Sequence, residues 1–341
     1  MITIDQVRDK DTWEAFLNKR EESNFLQSWH WGEFQKNLGK HVELLGLYKG
    51  TANLVGVMLG VVEAARRGRY MTVAGGPLID WTDHEQVSAA VQGLKEAARR
   101  TNCAFVRIRP QAEQTPETMA IIASAGFKKA PMHLTADLTS QLDLSPSTDE
   151  LLANMRKTTR YEIRRAAKEE IVVETSLNVA DLQEFYSIQV ETAKRQGFVP
   201  FSFEFLTEQF KVFAHAGSAL LYKAYKDKTL LAEAFVIFYG NEAVYHYGAS
   251  TDEGRRLPGA YIIQWEAIKE AKKRGMKRYN FWGVVPPTET QHRFFGVSIF
   301  KRGFGGHEVQ YVPAQDLVID PVRYTMNAAV ETVRRKVRRL D

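Results

Sequence analysis

The feature that most constrains this chain is that one architecture is written in it twice. Val42 to Val62 reads as two strands around a Lys49-Gly50-Thr51 turn, and Ala219 to Tyr239 reads as two strands around Lys226-Asp227-Lys228. Each hairpin carries an aromatic–lysine pair before its turn, Tyr48-Lys49 and Tyr225-Lys226, and returns through an apolar strand. Downstream, a helix through Leu94-Lys95-Glu96-Ala97 leads to the strand Ala104 to Ile108. In the second copy, Ile268-Lys269-Glu270-Ala271 leads to Arg278 to Trp282. The offset between the copies is nearly constant at about 175 positions. A hairpin, a helix with apolar residues at i, i+3 and i+4, and a parallel-type strand make an α+β unit. With 341 residues there is enough chain for two such cores.

The junction between the copies is placed near residue 145, in Leu142 to Asp149, a stretch rich in Pro, Ser and Asp that ends in helix-start residues. Ser147 or Thr148 is expected to cap a long helix there, with Glu150 in its first turn. The domains are therefore expected over 1–145 and 146–312. Apolar content of 44% and charged content of 26% are those of a globular protein. A lone cysteine, Cys103, excludes an internal disulfide and a cysteine zinc cluster. No apolar leader follows Met1, and the run Leu54 to Ala65 is too short to span a bilayer and carries Glu63. These features predict a cytoplasmic protein.

The net charge is +5, and it is concentrated. Arg66, Arg67 and Arg69 cluster near one turn, and Arg334, Arg335, Lys336, Arg338 and Arg339 crowd the last turns. Between them, Arg156, Arg160, Arg164 and Lys168 form one stripe at i+4 spacing without an acid in register. Such clusters suit phosphates, on RNA, nucleotide sugars or anionic lipid, and the bland alternative is a solvated face. In the tail, Val330, Val333, Val337 and Leu340 fall at helical spacing. That pattern fits either an interfacial helix touching the inner membrane face or a helix packed on a domain.

No G-x-S-x-G, H-E-x-x-H or G-x-x-x-x-G-K-[ST] is present, and no cluster has metal-ligand spacing. His246, in Tyr245-His246-Tyr247-Gly248, reads as a satisfied half-buried histidine. The repeated unit resembles the core of the GNAT acyltransferases, in tandem. Their coenzyme A pyrophosphate loop has only a partial counterpart in Arg256-Leu257-Pro258-Gly259-Ala260-Tyr261, where the Tyr261 ring obstructs close backbone approach. A coenzyme A-dependent N-acyltransferase is thus the alternative reading, and the main one needs no cofactor.

An ordered set of segments resembles the Fem family of peptidoglycan-bridge aminoacyltransferases. They are Phe25-Leu26-Gln27-Ser28-Trp29-His30-Trp31-Gly32-Glu33-Phe34-Gln35-Lys36, Gly75-Gly76-Pro77-Leu78-Ile79-Asp80, the basic helix from Met155 to Ala166, Tyr245 to Ser250, Tyr279-Asn280-Phe281-Trp282-Gly283-Val284, and Phe300-Lys301-Arg302-Gly303-Phe304-Gly305-Gly306. Two positions depart from the family pattern, with Arg109 and Asn280 where acids are common. No helical-hairpin arm is apparent between Asp149 and Val312. The resemblance implies two tandem GNAT-like domains without that arm, and a tail over 313–341 packed on the first domain. It implies aminolysis of an aminoacyl-tRNA ester by the stem-peptide amine of UDP-MurNAc-pentapeptide or lipid II. Site residues follow by resemblance: Lys36 and Arg195 on the acceptor diphosphate, Tyr247, Trp31 and Phe300 along the acceptor, Arg156, Arg160 and Arg164 on the tRNA, and Lys301 as a cation at the reaction centre. Gly303, Gly305 and Gly306 are expected to mark a positive-φ turn and to let substrate approach the backbone.

Overall fold

The structure is a computed structural model that describes residues 1–50, 52–65 and 68–338, with side chains through 333. Arg66, Arg67, the side chains of the tail arginines, Val337 and Leu340 lie outside the described residues. The strands are β1 (Ile2–Gln6), β2 (Val42–Lys49), β3 (Asn53–Ala65), β4 (Gly68–Ala74), β5 (Cys103–Arg109), β6 (Lys128–Lys129), β7 (Leu138–Asp143), β8 (Val172–Ser176), β9 (Ala219–Lys226), β10 (Thr229–Tyr239), β11 (Glu242–Ser250), β12 (Arg278–Gly283), β13 (His307–Gln310) and β14 (Gln315–Val318). The helices are α1 (Lys10–Leu17), α2 (Trp29–Asn37), α3 (His84–Arg100), α4 (Pro116–Ser124), α5 (Thr148–Asn154), α6 (Lys157–Lys168), α7 (Leu182–Gln196), α8 (Phe203–His215), α9 (Gly259–Lys273), α10 (Phe295–Arg302) and α11 (Pro321–Arg338).

Two compact units result, each α+β as the repeat requires. One comprises Met1–Asp137 with the segment from Gln310, the other Leu138–Val309. The first sheet runs β1-β2-β3-β4-β5-β14-β6 and the second, read in the matching direction, β8-β9-β10-β11-β12-β7-β13. The matching strands share one direction pattern: the hairpins are antiparallel, and β4–β5 and β11–β12 are the parallel pairs. The sixth strands are exchanged. β7 follows the first copy in sequence but pairs with β12, and β14 follows the second copy but pairs with β5. The second unit therefore begins at Leu138, earlier than the expected 145. The Ser-Pro stretch is only the turn into α5, where Ser147 and Glu150 form a capping box. The long helix expected there is two helices, broken at Met155, whose ψ of 154° is extended.

Helices α1 and α2 correspond to α7 and α8, so the second unit carries no inserted arm among its described residues. In the first unit the family-like segments serve packing. The Gln27 side chain accepts from Leu59 N at 2.8 Å and donates to Ala74 O at 2.8 Å. Gly75 has φ +70°, and a Cβ there would fall 2.1 Å from Asn24 Oδ1. Trp31 packs edge-on against Phe25 and the fully buried Phe34, at 5.6 and 5.2 Å.

The segment from Gln310 is held by charge. Arg107, on β5 and almost fully buried, donates to both oxygens of Asp316 on β14 (2.7 and 2.8 Å) and to Glu331 on α11 (2.9 Å). Burying three charges is tolerable only because they satisfy one another. Arg107→Met would leave the buried Asp316 without its cation, so it should cost about 3–5 kcal/mol. A loss under about 1 kcal/mol by urea denaturation would mean the network is dispensable.

Candidate active site

Strands β11 and β12 run parallel for only three pairs, Glu242 to Val244 against Arg278 to Asn280, and then part. Two local causes are visible. In β11 the pairing with β10 slips between Tyr245 and Tyr247, leaving His246 as the extra residue of a bulge. In β12 Trp282 adopts φ +65°, an unfavourable left-handed conformation for a bulky residue, held by its N–H donating to Asn280 Oδ1 at 2.8 Å. Asn280 is fixed in turn by donating to the buried Glu242 carboxylate at 2.9 Å. An aspartate there would set two carboxylates against each other, which accounts for this departure from the family pattern.

Lys301 faces this fork. Its Nζ donates to Gly283 O at 2.7 Å and lies 5.8 Å from the Tyr245 ring centroid. The expectation of a lysine projecting from a turn as a standing cation needs correction. Lys301 sits in the last turn of α10, is buried to 8% exposure, and pairs with no carboxylate in any salt bridge of the described residues. Burial lowers its pKa from the ordinary 10.5 to about 7, so both protonation states are accessible near neutrality. Burial also pushes Tyr245 up to about 12 and Tyr247 higher still, so both phenols stay neutral.

The glycines after Lys301 also depart from expectation. Gly303 has an ordinary φ of −62°, and only Gly305 and Gly306 are positive, both at +90°. A Cβ on Gly303 would meet Thr159 Oγ1 at 2.4 Å, and one on Gly306 would meet Gln141 O at 2.2 Å. These glycines admit α6 and β7, not substrate. Phe300 packs against Tyr261 (4.9 Å) and Phe304 (5.2 Å). Tyr261, in the first turn of α9, thus carries a ring packed on Phe300 and Phe304 where the coenzyme A loop pattern has a small residue.

Tyr247 points to the opposite face of β11, against Phe201 (5.3 Å) and Phe235 (5.8 Å). His246 has Gln209 2.9 Å from its Nε2, and burial lowers its pKa to about 3. Arg195 lies at the end of β11, donating to Asp252 (2.9 Å), Ser250 O (2.9 Å) and Thr192 (3.2 Å). Asp252 is 84% exposed, so an incoming phosphate could displace it. Lys36 is exposed on α2 in the first unit, 5.7 Å from the Trp29 ring. In the basic stripe Arg156 and Arg164 are exposed, but Arg160 is turned inward. Its Nη1 donates to Ala153 O at 2.7 Å and to Met155 O, closing the C-terminal end of α5, which corrects its expected place on a phosphate. Arg109, the other departure, is fully buried and bonded to Thr135 and Gln111 under the Tyr311 ring. Sequence reasoning missed Tyr245 and Glu242. Only the aromatic spacing of Tyr245-His246-Tyr247 hinted at the first, and nothing local marks the second.

The fold has counterparts among known proteins. The chain is similar to the lipid II:glycine glycyltransferase of Staphylococcus aureus (strain MRSA252), 20% identical over an alignment of 411 residues that covers 96% of this chain and 97% of that one. The alignment is longer than this chain, so the relative carries residues this chain lacks. Among solved structures, a crystal structure of FemX superposes with a TM-score of 0.84 at 18% identity, over 95% of this chain and 99% of that one. A tandem GNAT protein from the clavulanic acid biosynthesis pathway reaches 0.57 at 12%, over 94% and 99%. The chain is therefore an acyltransferase on a tandem GNAT-like fold. The FemAB family model matches residues 9–222 and 219–332, and the chain belongs to that family. Among the described residues no helix is long and apolar enough to cross a membrane, and no group of His, Cys, Asp and Glu could hold a metal.

Two outcomes follow. Millimolar acetyl-CoA should leave the melting temperature unchanged, whereas a ligand at a hundred times its Kd would add about 2.7 kcal/mol. A clear rise would revive the coenzyme A reading. Arg160→Gln should lower stability by about 1 kcal/mol through the lost contacts to α5. If it instead flattens the salt dependence of RNA binding with stability intact, Arg160 belongs with Arg156 and Arg164.

Proposed function

We propose that this protein transfers an amino acid from an aminoacyl-tRNA to the stem-peptide amine of a lipid-linked peptidoglycan precursor, working from the cytoplasm. The observation that carries this reading is the buried Lys301 at the fork of β11 and β12, in a chain matched to FemAB proteins over nearly its whole length. The similarity to a lipid II:glycine glycyltransferase supports a lipid-linked acceptor over the soluble UDP-MurNAc-pentapeptide.

In the reaction the amine nitrogen attacks the ester carbonyl, the bond to the terminal ribose oxygen of the tRNA breaks, and an amide forms. The ester is already activated, so no enzyme nucleophile is needed. Two demands remain. The attacking amine, with a pKa near 10.4 in water, is mostly protonated at neutral pH, at a cost of about 4.6 kcal/mol to reverse. The departing ribose oxygen must also gain a proton. A lysine balanced near pH 7 suits both, taking the proton from the attacking nitrogen and handing it to the ribose oxygen. This acid–base role replaces the standing cation suggested by resemblance. Within the second unit, Arg195 is assigned to the acceptor's phosphates, Tyr247 and Phe300 to the acceptor, and Arg156 and Arg164 to the tRNA.

Lys301→Met, which keeps the apolar stem, should lower kcat by about a hundred- to ten-thousand-fold. It should also abolish the rise of kcat with pH near neutrality. The assay pairs purified protein with a panel of charged tRNAs and both acceptors. A near-normal kcat would remove Lys301 from the reaction.

Stability gives a second readout of the same group. The unfolded lysine keeps its proton to about pH 10.5 and the folded one only to about 7. Between those values the unfolded chain binds more protons, so stability should rise with pH, by at most about 1.4 kcal/mol per unit. Below pH 7 the contribution is flat. Urea denaturation of wild type against Lys301→Met, at about pH 6.5 and about pH 9, should show the difference moving in favour of wild type at the higher pH. A constant difference would show that Lys301 keeps an ordinary pKa.

A further inference from the structure

Helix α11 is amphipathic in the inverse sense. Its buried side is polar, with Asn327 at 2% exposure and Glu331 at 4%, and its outer side is apolar, with Val322 at 72%, Met326 at 66%, Val330 at 40% and Val333 at 60%. The ion network fixes this rotation. Glu331 must face Arg107 to be buried at all, and Tyr324 on the same side donates to Asp316 at 3.2 Å. At the helix start Arg323 binds Asp320 (2.7 Å) and Asn102 (3.0 Å), holding the first turn down. The outward residues are spaced four, four and three apart, so they form one continuous stripe over more than three turns.

We infer that this stripe is a docking surface for an anionic lipid bilayer, with α11 lying in the plane of the headgroups. Charge complementarity selects that occupant. Beyond Glu331, which is bound to Arg107, the sequence holds Arg334, Arg335, Lys336, Arg338 and Arg339 against the single acid Asp341. An apolar stripe followed by a basic run fits a surface that is apolar inside and negative outside. A second copy packed with its α11 parallel would set basic run against basic run. RNA would use the charges but has no use for exposed valines and a methionine. The inference does not depend on the donor or acceptor assigned above, because it is tested without either.

The full chain is mixed with vesicles of phosphatidylglycerol and phosphatidylcholine, and separately with pure phosphatidylcholine, and the bound fraction is measured by sedimentation. Wild type should bind the anionic vesicles, weakly or not at all the neutral ones, and should be released by salt. The double variant Met326→Glu, Val330→Glu should lose binding by about tenfold or more while keeping its melting temperature, because both side chains already face outward. Met326→Ser should give a smaller loss in the same direction. Absence of wild-type binding to anionic vesicles would overturn the inference, as would undiminished binding by the double variant. So would a wild-type dimer by light scattering that the double variant dissociates.

Discussion

Everything assigned to the second unit depends on two parallel strands that stop pairing after Val244 and Asn280. A parallel ladder in a closed core would continue, because each unmade backbone hydrogen bond is costly away from water. Here the cost is met locally. The bulge at His246 takes one residue of β11 out of register, and the left-handed Trp282 turns β12 away while its N–H is satisfied by Asn280. Gly283 O, exposed by that parting, accepts from Lys301. Glu242, Asn280, Trp282 and Gly283 thus form one relay whose last member orients the lysine.

The first unit makes the same pair of strands and keeps it closed. β4 and β5 run together to Ala74 and Arg109, and β5 is lined by Arg107 and Arg109, both committed to structural partners. The segments that carry the family likeness in this unit are tied to one another, Asn24 and Gln27 against Gly75 and Ala74. The two units are two copies of one scaffold, one with its parallel strands parted and the other holding the tail.

The hairpins, the helix after each and the parallel strand were legible because their period is local and occurs twice. The exchange of β7 and β14 was not, since a short strand such as Gln315–Val318 carries no mark of which sheet it completes. In the site, Lys301 was legible by resemblance, but its burial was not: a lysine before a glycine-rich segment reads as exposed, and only the packing of α10 on the fork removes it from water. The glycines misled for a related reason. Gly303 and Gly306 look like space kept for a ligand, and the space is filled by Thr159 and by the Gln141 backbone. Arg160 sits in a perfect i+4 stripe, yet the break at Met155 offers it carbonyls that an unbroken helix would have satisfied.

Two of the buried cations, Arg107 in the first unit and Lys301 in the second, differ in what holds their charge. Arg107 has two carboxylates within 3 Å, and they drive its pKa further up, so it never changes state. A group fixed in that way can hold β5, β14 and α11 together but cannot exchange a proton. Among the described residues, Lys301 has a hydrogen bond to a carbonyl and an aromatic ring 5.8 Å away. Neither compensates the desolvation of an ammonium in full, and the shortfall appears as a pKa near 7. A guanidinium, which keeps its proton in proteins, is thus a structural clamp in the first unit, and a buried amine without a carboxylate in its described ion pairs is titratable in the second. An acid placed near Lys301 would stabilise the fold and return the lysine to a permanent charge. Without such an acid in its described ion pairs the amine keeps both protonation states accessible near neutral pH, which the proposed acid–base role requires.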